Sequence, residues 1–246
     1  VWIESPSNPM CDVIDIQATC EYVRRVSNKT TVVVDSTLAT PVLTQPLVLG
    51  ADFVMHSATK YLAGHSDALI GVVTASPWTA HGQELGKRLQ EVQVAVGGVA
   101  SPLDSWLTLR GLRTLALRVK QQSRTAIKLA EYLRNHPSVQ MVHHPSVTNR
   151  DIADRQMKDE CYGGVLSIEM PSEARAMAVA GALRVIQRAT SLGGTETLIE
   201  HRASIEPPGR VVSPPGLLRI AVGLEEPEDL INDLAAALSI ADDLTP

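Results

Sequence analysis

The chain has 246 residues, of which 44% are hydrophobic and only 3% aromatic, and its formal net charge is −5 at pH 7. This composition suffices for one large domain or two small ones with an ordinary hydrophobic core. The mild acidity and the scarcity of aromatic side chains argue against a nucleic-acid-binding surface, and no apolar run is long enough to cross a bilayer. The three widely spaced cysteines fit neither a disulfide framework nor a zinc site, and no secretory leader is recognisable. We therefore expect a soluble cytoplasmic protein without a metal.

Predicted strands and helices alternate in the first half of the chain. Apolar residues recur with helical spacing over residues 13–27, and short apolar runs predict strands at 1–4, 31–34, 52–56 and 69–74. The run at 31–34 is rich in valine, which is typical of a strand buried on both faces. This order predicts an α/β domain with a parallel or mixed sheet, in which ligands gather at the carboxyl ends of the strands.

The second half of the chain has a different pattern. Residues 102–136 predict one long helical segment, with a break at Gly111, that connects two units. Beyond it the pattern indicates a smaller α+β unit with an antiparallel sheet, built from strands at 139–143, 165–170 and 217–222 and helices at 173–185 and 227–241. We place the boundary near residue 114, which divides the chain into domains 1–113 and 114–246.

Polar side chains follow two of the predicted strands. Asp35 ends the first of them, and Ser57, Thr59 and Lys60 follow the second. If these strands are parallel neighbours, the four side chains converge on one edge of the sheet. A lysine among apolar residues can have a depressed pKa and act as an amine nucleophile, and hydroxyl groups can donate to a phosphate.

These four side chains match what pyridoxal phosphate (PLP) requires of a protein: a lysine for a Schiff base, donors for the phosphate and an acid for the ring nitrogen. On spacing alone, however, a plainer interpretation has more weight. Asp35 could cap the following turn, Ser57 and Thr59 could satisfy loop amides, and Lys60 could be a surface lysine. A generic lysine aldolase is a weaker alternative, because it leaves Asp35 and the hydroxyls unexplained.

Ordered motifs along the whole chain carry a family resemblance. Residues 57–67, Ser-Ala-Thr-Lys-Tyr-Leu-Ala-Gly-His-Ser-Asp, closely resemble the lysine motif of the Cys/Met-metabolism PLP-dependent enzymes, the trans-sulfuration family. Further similar motifs are Glu-Ser-Pro-Ser-Asn-Pro at 4–9, Val-Asp-Ser-Thr at 34–37, Leu-Thr-Leu-Arg-Gly-Leu-Arg-Thr-Leu at 107–115, Ser-Leu-Gly-Gly at 191–194 and Leu-Leu-Arg-Ile-Ala-Val-Gly-Leu-Glu at 217–225. The resemblance implies the PLP-dependent transferase fold of type I, with a mostly parallel sheet that is partial here, and a smaller α+β C-terminal domain.

The resemblance also implies roles in binding the cofactor. Lys60 would be bound covalently to PLP and would move protons, and Asp35 would pair with the pyridine nitrogen. Ser57 and Thr59 would hold the phosphate. Asn8 would lie near the ring hydroxyl and the substrate carboxylate.

Substrate recognition and activity are implied in the same way. Arg219, helped by Ser191 and Asn8, would bind the α-carboxylate of an amino-acid substrate, for which a planar guanidinium is well suited. The implied activity is γ-elimination or γ-replacement on cystathionine or homoserine esters, by a carbon–sulfur lyase or transferase of methionine and cysteine metabolism. The resemblance further implies a homo-oligomer, a dimer or a tetramer.

Among the departures from the family pattern, two bear most on function. The large stretch that precedes the Glu-Ser-Pro turn in the family is absent from these 246 residues, so a truncated, non-catalytic subunit is an alternative. Thr190, just before Ser191, is neither the acid of the cystathionine γ-enzymes nor the tyrosine of the β-lyase. The reaction subtype therefore stays open, with methionine γ-lyase as the second choice after the cystathionine γ-enzymes.

Overall fold

Two β-sheets form the centre of the computed structural model, which describes residues 1–242. The first sheet contains β1 (Trp2–Glu4), β2 (Val33–Asp35), β3 (Phe53–Ser57) and β4 (Gly71–Ala75), in that order. The second has the order β5-β6-β9-β8-β7 and contains β5 (Met141–His143), β6 (Val165–Glu169), β7 (Gln187–Arg188), β8 (Leu198–His201) and β9 (Leu217–Ala221).

Helices connect and cover these sheets. They are α1 (Ile16–Val26), α2 (Thr40–Leu43), α3 (Ala80–Val96), α4 (Pro102–Leu112), α5 (Leu115–Arg134), α6 (Pro145–Thr148), α7 (Arg150–Gln156), α8 (Glu173–Ala182), α9 (Arg202–Ile205) and α10 (Pro227–Asp242). Side chains cap several helix starts; Asp15 Oδ1, for example, accepts the Ala18 N–H at 2.9 Å at the start of α1. None of the helices within residues 1–242 is both long and apolar enough to span a bilayer.

The first sheet brings the ends of β2 and β3 together. β1, β2 and β3 are parallel and in register, so that Glu4 pairs with Asp35 and Asp35 with Met55. β4 runs antiparallel to β3, so the sheet is mixed. Asp35 and Ser57 are the last residues of their strands and lie at the same edge of the sheet, as the sequence predicts.

The helical segment between the two sheets differs from its prediction, because it is two helices rather than one. α4 ends at Leu112 and α5 begins at Leu115, so the chain turns at residues 113–114 and not at Gly111. Gly111 lies inside α4, where an added Cβ would overlap the carbonyl oxygen of Ala63. Glycine is therefore needed for close packing of α4 on the loop after β3. The division after residue 113 stays a proposal, supported by the position of one sheet on each side of this turn.

The second sheet is mostly antiparallel. β6 pairs antiparallel with β5 and β9, β8 pairs antiparallel with β9, and only β7 and β8 are parallel. Helices α5, α8 and α10 pack around it and bury an aliphatic core that includes Leu129, Leu133, Leu166, Ile168, Ile199, Ile220, Leu230 and Leu234. The sequence pattern predicts β5, β6 and β9 but not β8, whose Glu200 lies opposite Arg219 of β9.

His144 is a buried histidine that makes folding sensitive to acid. Its Nδ1 lies 2.7 Å from the Ser146 hydroxyl, and burial lowers the pKa of the imidazole to about 4. Above pH 6.5 the imidazole of His144 is neutral in both the folded and the unfolded chain. Between pH 6.5 and about 4, this imidazole binds a proton in the unfolded chain only. The free energy of unfolding should therefore fall by up to about 3 kcal/mol as the pH falls through this window.

Urea unfolding measured from pH 7 to pH 4 checks this prediction for His144. We expect His144→Gln to lose less stability over this range than the wild-type chain, because glutamine does not titrate. The matched variant His65→Gln, at an exposed position, should keep the wild-type pH dependence. Equal pH dependence in His144→Gln and wild type would contradict the assignment.

Candidate active site

Asp35 and Ser57 are held together at the carboxyl ends of β2 and β3. The Thr37 hydroxyl donates to Asp35 Oδ1 at 2.6 Å and accepts the backbone N–H of Ser57 at 2.8 Å. The Thr37 backbone N–H also donates to Asp35 Oδ1, at 3.0 Å. Thr37 thus fixes the carboxylate relative to the next strand, a role that the sequence analysis does not assign to it.

Thr59 follows β3, and its hydroxyl contacts the backbone of Ile70. It accepts the Ile70 N–H at 2.9 Å and donates to the Ile70 carbonyl at 3.3 Å. The second bond is long for a hydroxyl donor. Turning this proton toward a phosphate would therefore sacrifice only a weak hydrogen bond.

Lys60 contacts a loop that comes from the second sheet. Its Nζ donates to Ser191 Oγ at 3.1 Å, and the Ser191 carbonyl accepts from Arg219 Nη2 at 2.6 Å. Ser191 has a φ of 86°, in the left-handed region. Nearby, Gly193 has a φ of 78°, and a Cβ there would lie 2.7 Å from Tyr61 N. The Ser-Leu-Gly-Gly loop therefore packs closely on the turn that carries the lysine.

Arg219 is the centre of a polar network that connects the two sheets. The residue is only 4% exposed; its Nη1 donates to Asn8 Oδ1 at 3.1 Å, and its Nη2 forms an ion pair with Glu200 at 2.8 Å. The backbone of Asn8 also acts on Glu4, since it opposes the burial that raises the pKa of the Glu4 carboxyl, and Glu4 pairs with Asp35 across the first sheet. The predicted substrate-binding residues are thereby linked to the strand that carries the predicted ring-nitrogen partner.

Burial and charge together lower the pKa of Lys60. Burial, the larger cause, disfavours the ammonium form; the Arg219 guanidinium repels it, and the Glu200 carboxylate acts in the opposite direction. The neutral amine of Lys60, which is the nucleophilic form, is thus available at lower pH than the amine of an exposed lysine.

Comparison with known proteins identifies the family. The model of the family described as Cys/Met metabolism PLP-dependent enzyme matches residues 1–239. The chain belongs to this family. The match extends over nearly the whole chain and confirms the family that the motifs predict.

Individual relatives in the Cys/Met metabolism family show the same similarity. The cystathionine γ-lyase of Bacillus subtilis is 41% identical over 249 residues, which cover 97% of this chain and 63% of the relative. The cystathionine γ-synthase of Mycobacterium tuberculosis strain H37Rv is 40% identical over 246 residues, covering 97% of this chain and 61% of that protein.

A solved structure confirms the fold class predicted for this family member. The cystathionine γ-synthase of Xanthomonas oryzae pv. oryzae, in complex with aminoacrylate and cysteine, superposes with a TM-score of 0.90 at 39% identity. The superposition covers 98% of this chain and 63% of that one. The chain thus spans about three fifths of the length of the relatives it matches.

The side chains at this edge fit PLP, the cofactor of the family. Lys60 offers an amine whose protonation is disfavoured, and Asp35 offers a carboxylate fixed by Thr37. Ser57 and Thr59 offer hydroxyls from the adjacent turn. The donor set has the chemistry to provide a covalent anchor, a partner for the pyridine nitrogen and phosphate donors, the roles that the resemblance implies.

Thr37 and Glu200 are site residues that the sequence does not predict. Thr37 has a detectable signal, because a hydroxyl two residues after an aspartate commonly closes a turn on it. Glu200 has a weaker one, an acid directly after two apolar residues. Within residues 1–242, no group of three or more His, Cys, Asp or Glu side chains could hold a metal ion.

Proposed function

We propose that this chain carries the catalytic lysine of a PLP-dependent enzyme that performs γ-elimination or γ-replacement on cystathionine or homoserine esters. The observation that carries the proposal is the series of contacts from Lys60 to Ser191 and from Ser191 to Arg219. These contacts bring a nucleophilic amine close to a guanidinium. A site for an α-amino acid needs both groups, because the amine acts near Cα and the guanidinium binds the α-carboxylate. The names of the relatives in three organisms support the choice of substrate.

Each side chain has a distinct part in this proposal. Bound PLP supplies an electron sink that makes the Cα–H of an amino acid acidic. Lys60 would hold the cofactor and then accept the Cα proton at Nζ, which Ser191 Oγ orients. Asp35 would keep a proton on the pyridine nitrogen, while Ser57 and Thr59 would bind the phosphate.

The substrate would bind between the lysine turn and the second sheet. Arg219 would bind the α-carboxylate through its planar fork, with Asn8 Oδ1 fixing Nη1. A recess of about 480 Å³ lies beside Ser191 and is lined by polar side chains that include Ser66, Gln187, Thr190 and Glu196. This recess is the candidate site for the side chain of the substrate.

Methionine γ-elimination is the second candidate. A protein of Micromonospora echinospora, whose structures are described once as a methionine γ-lyase and once as a cystathionine γ-lyase, covers 97% of this chain with a TM-score of 0.88. Thr190 supports the alternative because it is uncharged, whereas Glu196 in the same recess would favour the distal amino group of cystathionine, which keeps methionine as the second candidate.

Cofactor binding and product analysis test the proposal. We expect the purified chain to bind PLP with absorbance in the visible range, and to release 2-oxobutyrate and cysteine from cystathionine. Release of methanethiol from methionine at a higher rate would favour the second candidate. A chain that binds no PLP and yields no 2-oxobutyrate from either substrate would contradict both.

Assembly and location are part of the same proposal. A homo-oligomer is supported by large apolar side chains exposed on α4 and the start of α5, namely Leu103, Trp106, Leu109 and Leu117. A cytoplasmic location is supported by the buried free thiols of Cys11, Cys20 and Cys161, which suit a reducing compartment.

A further inference from the structure

Glu200 and Arg219 are a buried ion pair on neighbouring strands. They lie opposite each other in the register of β8 and β9, each is 4% exposed, and Glu200 Oε2 is 2.8 Å from Arg219 Nη2. A buried carboxylate that pairs with a single guanidinium neutralises the positive charge of that guanidinium. Such a pair would attract the carboxylate of a substrate only weakly.

Arg202 changes this charge balance. Its Nη1 donates to the other Glu200 oxygen, Oε1, at 3.0 Å, and the Arg202 side chain is 20% exposed. Arg202 Nη2 is 3.8 Å from Glu206, whose carboxylate already accepts hydrogen bonds from Ser213 and Val212. Glu200 is therefore shared between two arginines, and its charge is divided between Arg219 and Arg202, while Glu206 balances part of the charge of Arg202.

We propose that Arg202 and Glu200 are positioning residues that orient Arg219, and that Arg202 keeps Glu200 from neutralising Arg219 fully, so that the guanidinium of Arg219 still attracts the α-carboxylate of the substrate. Glu200 fixes the guanidinium of Arg219 from the side of β8, while Asn8 and the Ser191 carbonyl fix it from the other chain segments. Arg202 draws part of the charge of Glu200 away from Arg219. The inference rests on the proposed function, because it assigns Arg219 to carboxylate recognition.

Arg202→Gln is the first test. In the PLP-loaded chain, the dissociation constant of L-alanine, which has a carboxylate but no leaving group on its side chain, should rise about tenfold. The KM of the reacting substrate should rise similarly, with little change in kcat. Arg202→Lys should restore most of the affinity, since it restores the charge, and the exposed control Arg155→Gln should bind alanine like the wild type. Unchanged alanine affinity in Arg202→Gln would overturn the proposal.

A second measurement needs no cofactor. In the unloaded chain, reductive ¹³C-methylation and NMR give the titration of Lys60, assigned by the loss of its signal in Lys60→Ala. Glu200→Gln should lower the pKa of Lys60, because it removes the negative charge that favours the ammonium form. Arg202→Gln should raise it, because Glu200 then loses the second positive charge that it pairs with. The exposed control Glu228→Gln, which pairs with Lys128, should leave it unchanged.

The two measurements separate this inference from the proposed function. A chain that binds no PLP contradicts the proposed function, while the NMR titration still reports whether Glu200 and Arg202 act on the site. If PLP binds but neither the affinity for alanine nor the titration of Lys60 changes in these variants, only the inference about Glu200 and Arg202 is wrong.

Discussion

Lys60→Ala is expected to lose the visible absorbance of bound PLP and to lower turnover by about a thousandfold or more. The physical reason is that one amine both anchors the cofactor and accepts the Cα proton, and a single general base contributes about 10²- to 10⁴-fold by itself. The variant should fold, because burial and Arg219 already disfavour the ammonium of Lys60 in the wild-type chain. Absorbance spectra, product assays and urea unfolding check these three expectations.

Lys29→Ala is the control for Lys60→Ala. Lys29 is exposed between α1 and β2, so its removal should change neither PLP absorbance nor turnover. If the Lys60→Ala chain is folded and still turns over substrate at the wild-type rate, the assignment of Lys60 as the catalytic lysine is wrong.

Gly111→Ala is expected to lower the free energy of unfolding by about 3 kcal/mol. A Cβ at this position would overlap backbone atoms of Leu62 and Ala63, which cannot move aside as a flexible side chain could. This cost exceeds the gain of about 1 kcal/mol that alanine normally gives over glycine inside a helix. Because Leu62 and Ala63 are the second and third residues after Lys60, PLP affinity should fall as well.

Gly181→Ala provides a matched comparison in another helix. Gly181 lies in α8 and has no atom within 4 Å of its added Cβ. Here alanine should raise the free energy of unfolding by up to about 1 kcal/mol, since only helix propensity changes. Urea unfolding of both variants measures the difference. Equal stability of Gly111→Ala and Gly181→Ala would be inconsistent with the tight packing of α4.

Much of the fold can be predicted from apolar periodicity because its elements bury regular faces. The valines of β2 and the aliphatic residues of β6 and β9 form strong runs, and the predicted strands agree with the structure within a few residues. α3 is not predicted, because most of its apolar side chains are exposed and form no buried face. β7 and β8 are too short, at two and four residues, to give a clear pattern.

The candidate site was only partly predictable for a similar reason. Asp35, Ser57 and Lys60 follow strands whose ends can be located from the sequence. Ser191 and Arg219 are predicted from motif resemblance alone, because a local pattern gives no distance between residues so far apart in the chain. The contacts of Thr37 with Ser57 and of Glu200 with Arg219 join neighbouring strands, and they form only when those strands have paired.

The polar network around Arg219 has a thermodynamic consequence for the chain as a whole. Asn8 and Lys60 belong to the part of the chain that forms the first sheet, whereas Ser191, Glu200 and Arg219 belong to the second. A small molecule that contacts both Lys60 and Arg219 binds only the docked arrangement of the two sheets. Such a compound therefore stabilises the docked arrangement through binding alone. At concentrations above its dissociation constant, the melting temperature should rise with the logarithm of the compound's concentration.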